Sequence, residues 1–234
     1  MKNTQINRAA IRKVAHALGD LNRGVVYVGG AVISHYVDDP AAEDVRPTKD
    51  IDIFLEIASV GDLERLREKL HQKGFTQSFV DEVVCRFRFD DIKVDVMATQ
   101  AVGWAPANPW FGPGFSRRFA ISLDGVTIWL LPLPYFLAAK FVAFYSRGNL
   151  DARASHDFED IVYLLNHVLT LQDQILQAKP DVKGYLTSCF QDILGDVAKQ
   201  EAILAHLFHE EQMARYYRIL DMLEQIVDHI GKGK

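Results

Sequence analysis

The chain has 234 residues, 49% of them hydrophobic and 24% charged, the balance of an ordinary globular protein of one or two domains. Its formal net charge of −5 excludes a general electrostatic attraction to nucleic acid, so an RNA or DNA site has to be a local basic patch. Two cysteines, Cys85 and Cys189, lie far apart without metal-ligand spacing, which predicts reduced thiols rather than a zinc site or a disulfide framework.

The first stretch, "MKNTQINRAAIRKVAHALGDL", carries Ile6, Ile11, Val14 and Leu18 among charged residues and predicts an amphipathic helix rather than a signal peptide. "GVVYVGG" follows as a short buried strand ending in glycines, and it feeds a predicted helix, "AVISHYV". The acidic "DDPAAEDVRPTK" reads as a loop, and "DIDIFLEI" as an alternating strand. "GDLERLREKLHQKG" predicts a surface helix with Leu63, Leu66 and Leu70 inward, Asp62 as N-cap and Gly74 as its stop.

Two hairpins are predicted next. "EVVCRFRF" turns through Asp90–Asp91 into "IKVDVMAT", and "RFAISL" turns through Asp124–Gly125 into "VTIWLL", a dipeptide suited to a type I′ turn. The Gly-, Pro- and Trp-rich "AVGWAPANPWFGPGF" between them reads as irregular. From Pro134 onward only helix-length apolar patterns remain. The fold class predicted is α+β, with a strand-rich domain over residues 1–132 and a helical bundle over residues 133–234. The most apolar run, "VTIWLLPLPYFLAAKFVAFY", is interrupted by Pro132, Pro134 and Lys140, which predicts no membrane span and a cytoplasmic protein.

The pattern with chemical content is "VGG" followed by "RPTKDIDIF". On a strand, Asp50 and Asp52 project from one face while Ile51 and Ile53 point inward. Two carboxylates so close repel unless a cation intervenes, and Mg2+ suits them because it takes hard oxygen ligands and keeps positions for phosphate and water. In "IKVDVMAT", Asp95 shares a face with Lys93 and Met97. If that strand pairs beside "DIDIF", Asp95 becomes the third carboxylate of a two-metal phosphoryl-transfer site and lies nearest the attacking hydroxyl. Gly29 and Gly30, without side chains at a helix start, let a triphosphate approach the backbone. Singly these signals are weak, since Gly-Gly is usually a turn and Asp-x-Asp usually a solvated face. Their order carries the inference.

In that order, the chain resembles the nucleotidyltransferase superfamily related to DNA polymerase β, and within it the AbiEii-type toxins of bacterial abortive infection. "VGGAVI", "RPTKDIDIF", "KVDVMA", "LPLPYFLAAKFVAFYSRG" and "SHDFEDIVYLL" carry the resemblance, over residues 20–166. It implies a nucleotidyltransferase fold for the first domain, a mixed sheet flanked by helices. It implies Asp50, Asp52 and Asp95 as Mg2+ ligands, Gly29 and Gly30 as the phosphate loop, and Arg46 and Thr48 at the mouth of the site. It further implies that Lys140 neutralises the triphosphate and that Asp157 orders Lys140 or the nucleotide. An NTP substrate, a tRNA 3′ end or protein hydroxyl as acceptor, and a cognate antitoxin complete what it implies. The chain departs from the pattern at the insertion "DDPAAEDV" and at His156, where the family usually has a basic residue.

The residues also admit plainer roles. Lys140 on an apolar helix can snorkel to water, and Asp157 with Asp160 can simply favour a helix start. Arg117, Arg118, Arg147 and Arg153 form either a basic rim or a solubilising surface. Competing functions are a nucleotide-binding or partner-docking module without turnover, and a small-molecule (antibiotic) adenylyltransferase.

Overall fold

The computed structural model describes residues 2–48, 50–78, 80–81, 83–147, 151–208 and 210–231. Its strand-rich part holds helix α1 (Lys2–Leu18), β1 (Val26–Val28), β2 (Asp50–Leu55), α2 (Val60–Gln72), the hairpin β3 (Arg86–Phe89) and β4 (Ile92–Ala98), a short α3 (Phe111–Phe115), and the hairpin β5 (Phe119–Leu123) and β6 (Val126–Leu130). The described strands form one six-stranded sheet in the order β3-β4-β2-β1-β6-β5. β2–β4 and β1–β6 are parallel and the remaining pairs antiparallel, so the sheet is mixed and helices flank it. Asp124 and Gly125 both take positive φ, 49° and 88°, as the type I′ turn of the second hairpin requires.

Three local expectations are corrected. The inward stripe of α1 runs through Asn7, Ile11, Val14 and Leu18, while Ile6 is exposed. Asn7 holds the core position because its side chain has backbone work, accepting from Thr48 N at 3.3 Å and donating to the Arg46 carbonyl at 3.4 Å. The α2 N-cap is Ser59, whose hydroxyl accepts from Asp62 N, and Asp62 sits one turn inside. After Gly29 the chain makes a six-residue 3₁₀ helix, Gly30–His35, and not an α-helix. A 3₁₀ piece this short has little aligned dipole, so the anion-binding argument from a helix start loses its support.

Helices α4 (Leu133–Ser146), α5 (His156–His167), α6 (Leu171–Leu176), α7 (Pro180–Gly195), α8 (Val197–His206) and α9 (Gln212–Gly231) follow. α4 is buried along Leu133–Phe141, as befits a helix apolar on every side, and packs on α5 and α7. The chain divides into two compact units, Met1–His35 with Glu43–Pro132, and Tyr36–Ala42 with Leu133–Lys234. Among the described residues, no helix is long and apolar enough to cross a membrane.

The acidic insertion does more than lengthen a loop. Within the helical unit, Asp38 accepts from the N–H groups of Leu169 and Thr170 at the start of α6, and Asp39 pairs with buried His167 at 3.0 Å. Within the strand unit, Asp44 accepts from Asn3 N at 2.7 Å and Thr4 N at 2.9 Å. It supplies the N-terminal cap of α1 from 40 residues away.

Candidate active site

β2 exposes Asp50 and Asp52 on one face because Ile51 and Ile53 alternate into the core, where each is at most 1% exposed. β4 lies parallel beside it in a register that sets Asp95 opposite Asp52, with Val94 and Val96 fully buried beneath. The three carboxylates therefore share one face of adjoining strands. Lys93 lies on that face too, its Cα opposite Asp50. Thr48 braces the start of β2, its hydroxyl 3.3 Å from both the N–H and the carbonyl of Asp50, and Asn7 tethers Arg46 by its backbone.

Gly29 borders the same face from β1, whose Val28 is paired with Asp52. Its φ is +76°, and a Cβ there would lie 1.8 Å from Asp52 Oδ2. Gly29 thus provides the space in which the Asp52 carboxylate sits. Gly30 is buried behind it. We predict that Gly29→Ala lowers the melting temperature by several degrees and abolishes activity. The left-handed backbone alone costs a non-glycine residue about 1–2 kcal/mol, and Asp52 must also move. A variant with unchanged melting and activity would remove Gly29 from the site.

Arg86 is the residue that sequence reasoning missed. It stands on β3 directly across from Asp95. Its Nε and Nη2 donate to Asp95 Oδ1 and Oδ2 at 2.7 and 2.8 Å, and Nη2 lies 3.6 Å from Asp50 Oδ2. Both side chains of the fork are about one-sixth exposed. Hydrogen bonds donated to Asp95, with further attraction to Asp50, push the guanidinium pKa still higher, so it is permanently charged. The cross-strand hairpin position, four residues before the Asp90–Asp91 turn and opposite a carboxylate, was the signal available. Neighbouring Cys85 is held near 11 by burial, with Asp95 adding to the shift, and is no nucleophile.

The donor set decides what cation fits. Mg2+ is commonly bound by one or two carboxylates, with phosphates and waters completing its octahedron, and Asp50 with Asp52 matches that demand. Each Asp95 oxygen already accepts a hydrogen bond from the cationic Arg86, which disfavours a second cation there. Among the described residues no three His, Cys, Asp or Glu side chains are gathered as a ready metal cage. One cation on the Asp50–Asp52 pair fits this chain; a preassembled three-carboxylate, two-metal cage does not.

Lys140, Asp157 and Asp160 belong to the helical unit. Lys140 does not snorkel: it is 7% exposed, with Nζ 2.7 Å from Asp160 Oδ2 and 3.3 Å from Asp157 Oδ1. Asp157 Oδ2 also lies 3.3 Å from Arg147 Nη1. Ser155 caps α5, so Asp157 and Asp160 serve the buried lysine and not the helix end. His156 turns to solvent and pairs with Glu159. Arg118 stacks on Phe115 and Trp129, 4.0 and 5.1 Å from their centroids, and donates to the Phe115 carbonyl, while Arg153 pairs with Glu201. Neither forms an uncommitted basic rim.

A protein-family model described as "Nucleotidyl transferase AbiEii toxin, Type IV TA system" matches residues 25–229. No curated protein matches the chain. Two solved structures align along most of it. One is an antigenic nucleotidyltransferase-like protein from Paracoccidioides brasiliensis, 17% identical over 85% of this chain and 92% of that one, with a TM-score of 0.46. The other is the antibiotic-resistance factor ANT(2'')-Ia, 15% identical over 83% of this chain and 97% of that one, with a TM-score of 0.48.

Proposed function

Because the chain belongs to the AbiEii family of nucleotidyltransferases, we propose that it moves a nucleoside monophosphate from an NTP to an acceptor hydroxyl, on a tRNA 3′ end or a protein, and releases pyrophosphate. The observation that supports this most is the convergence of Asp50, Asp52 and Asp95 on one face, with Gly29 leaving room for Asp52. Asp50 and Asp52 would hold Mg2+ together with phosphate oxygens. Once bound, the ion stabilises charge developing on the phosphoryl oxygens.

The remaining steps belong to the chain's own groups. The acceptor oxygen bonds to the α-phosphorus as the bond to the α–β bridging oxygen breaks. Pyrophosphate leaves with that electron pair, and the hydroxyl proton passes to water. Asp95 orients the hydroxyl by accepting its hydrogen bond, since the Arg86 fork uses only two of the roughly four lone-pair directions of a carboxylate. Thr48 and Asn7 keep the start of β2 rigid. Lys140 neutralises Asp157 and Asp160, the role its burial supports better than a phosphate contact.

Incubation with each α-³²P-labelled NTP and total cell extract tests the proposal: label should enter one macromolecule, RNA or protein, only with divalent cation present. Absence of label from every nucleotide, with tight NTP binding by calorimetry, would favour the module without turnover, a reading that the Arg86–Asp95 pair lends some weight. With tRNA as acceptor, raising salt from about 50 to 200 mM should lower the rate at subsaturating tRNA by about tenfold if about two phosphates are contacted. A flat salt response points to the protein acceptor. We further propose a cognate antitoxin, tested by growth arrest on induced expression and its relief by neighbouring reading frames.

A further inference from the structure

We propose that Arg86 is a built-in counter-cation of the catalytic face, which keeps Asp95 out of the metal shell and limits the site to one divalent ion. The inference rests on the nucleotidyltransferase reading and specifies how many metal ions it uses and which carboxylate is not a ligand.

Geometry carries it. The Arg86 fork takes both Asp95 oxygens, and its Nη2 faces Asp50 across the site, so a permanent positive charge stands between two of the three carboxylates. A second divalent ion coordinated by Asp95 would have to lie against that guanidinium with little water to screen the repulsion. Bidentate charge-assisted pairs of this kind are strong and geometrically specific. Sheet register holds the pair in place, because Arg86 and Asp95 are directly opposed on β3 and β4.

The same strand supplies its own contrast. Arg88, two residues on and on the same face, also forks onto a carboxylate, with Nε and Nη2 each 2.7 Å from Asp81. Asp81 lies in the preceding loop and not on β2 or β4, so Arg88 is an ordinary cross-link. The two arginines share a face and differ in which carboxylate they hold: Arg86 forks onto Asp95 of the catalytic set, and Arg88 onto Asp81 outside it. Arg86 is therefore a positioning residue: it acts through Asp95, leaving that carboxylate to the acceptor hydroxyl.

Counting Mn2+ bound per chain by electron paramagnetic resonance, on the full chain without nucleotide, reads this directly and needs no turnover. The wild type should bind one Mn2+. Asp95→Asn should still bind one, more weakly because the freed guanidinium faces Asp50, and Arg88→Gln should bind one with unchanged affinity. Arg86→Gln should gain a second ion, lost again when combined with Asp95→Asn. Two ions in the wild type, loss of an ion in Asp95→Asn, or no gain in Arg86→Gln overturns the proposal. Should Arg86→Gln fail to fold by its melting curve, the wild-type count and the Asp95→Asn arm decide alone. No ion in the wild type overturns both this and the metal role of Asp50 and Asp52. One ion bound without any nucleotide transfer counts against the proposed function and leaves the count standing.

Discussion

Asp52→Asn is expected to lower nucleotide transfer by about a thousandfold or more while leaving the melting temperature unchanged or slightly raised. The substitution keeps the shape of the side chain in the space over Gly29 but removes half of the charge that Asp50 and Asp52 offer to a cation. Metal stabilisation of phosphoryl transfer amounts to several kcal/mol, and each 1.36 kcal/mol is a factor of ten in rate. Stability moves the other way because Asp52 is a carboxylate set among carboxylates, facing Asp95 in register and two residues from Asp50. Relief of that repulsion offsets whatever hydrogen bonding is lost. Incorporation of α-³²P label and a thermal melt in metal-free buffer check both halves. A fall in melting temperature of several degrees without metal would assign Asp52 a structural role, and retained transfer would remove it from the metal site.

Lys140→Ala is expected to destabilise the helical unit strongly. It leaves Asp157 and Asp160, 4% and 2% exposed, without their common ammonium. Removing one partner of a buried ion pair typically costs about 3–5 kcal/mol, because water cannot replace the lost counter-charge. Arg147 compensates little, being 69% exposed and in reach of Asp157 alone. At about 2–4 °C per kcal/mol for a chain of this size, the melting temperature should fall by ~10 °C. Lys140→Met combined with Asp157→Asn and Asp160→Asn should recover much of the loss, since an uncharged cluster has no orphan to bury. A stable Lys140→Ala protein with weakened NTP binding would instead return Lys140 to the nucleotide site, as the family resemblance implied.

The legible parts of the molecule were those written in short-range pattern. Alternation of Asp50–Ile51–Asp52–Ile53 and of Val94–Asp95–Val96 forces each carboxylate to one side of its strand, because the apolar neighbours must be buried. Asp124–Gly125 selects its turn through a backbone region that few other pairs tolerate. The proline-broken apolar run resolves into β6 and α4 at Pro132, while Pro134 sits in the first turn of α4, where a helix tolerates it. The 3₁₀ helix after Gly29 was less legible, since both helix types share the same apolar spacing over six residues.

Local pattern alone was enough for the α+β character, the order of the elements and the three aspartates on strands, since periodicity and turn chemistry act over a few residues. What those groups meet depends on contacts made in three dimensions. Arg86 against Asp95, Gly29 beneath Asp52, Asp44 on the first helix and Lys140 between two buried aspartates are all partnerships across strands, helices or loops. Charge interactions strengthen once water is excluded, so a carboxylate's role follows from the charged or polar group it meets in space, which local sequence pattern does not encode.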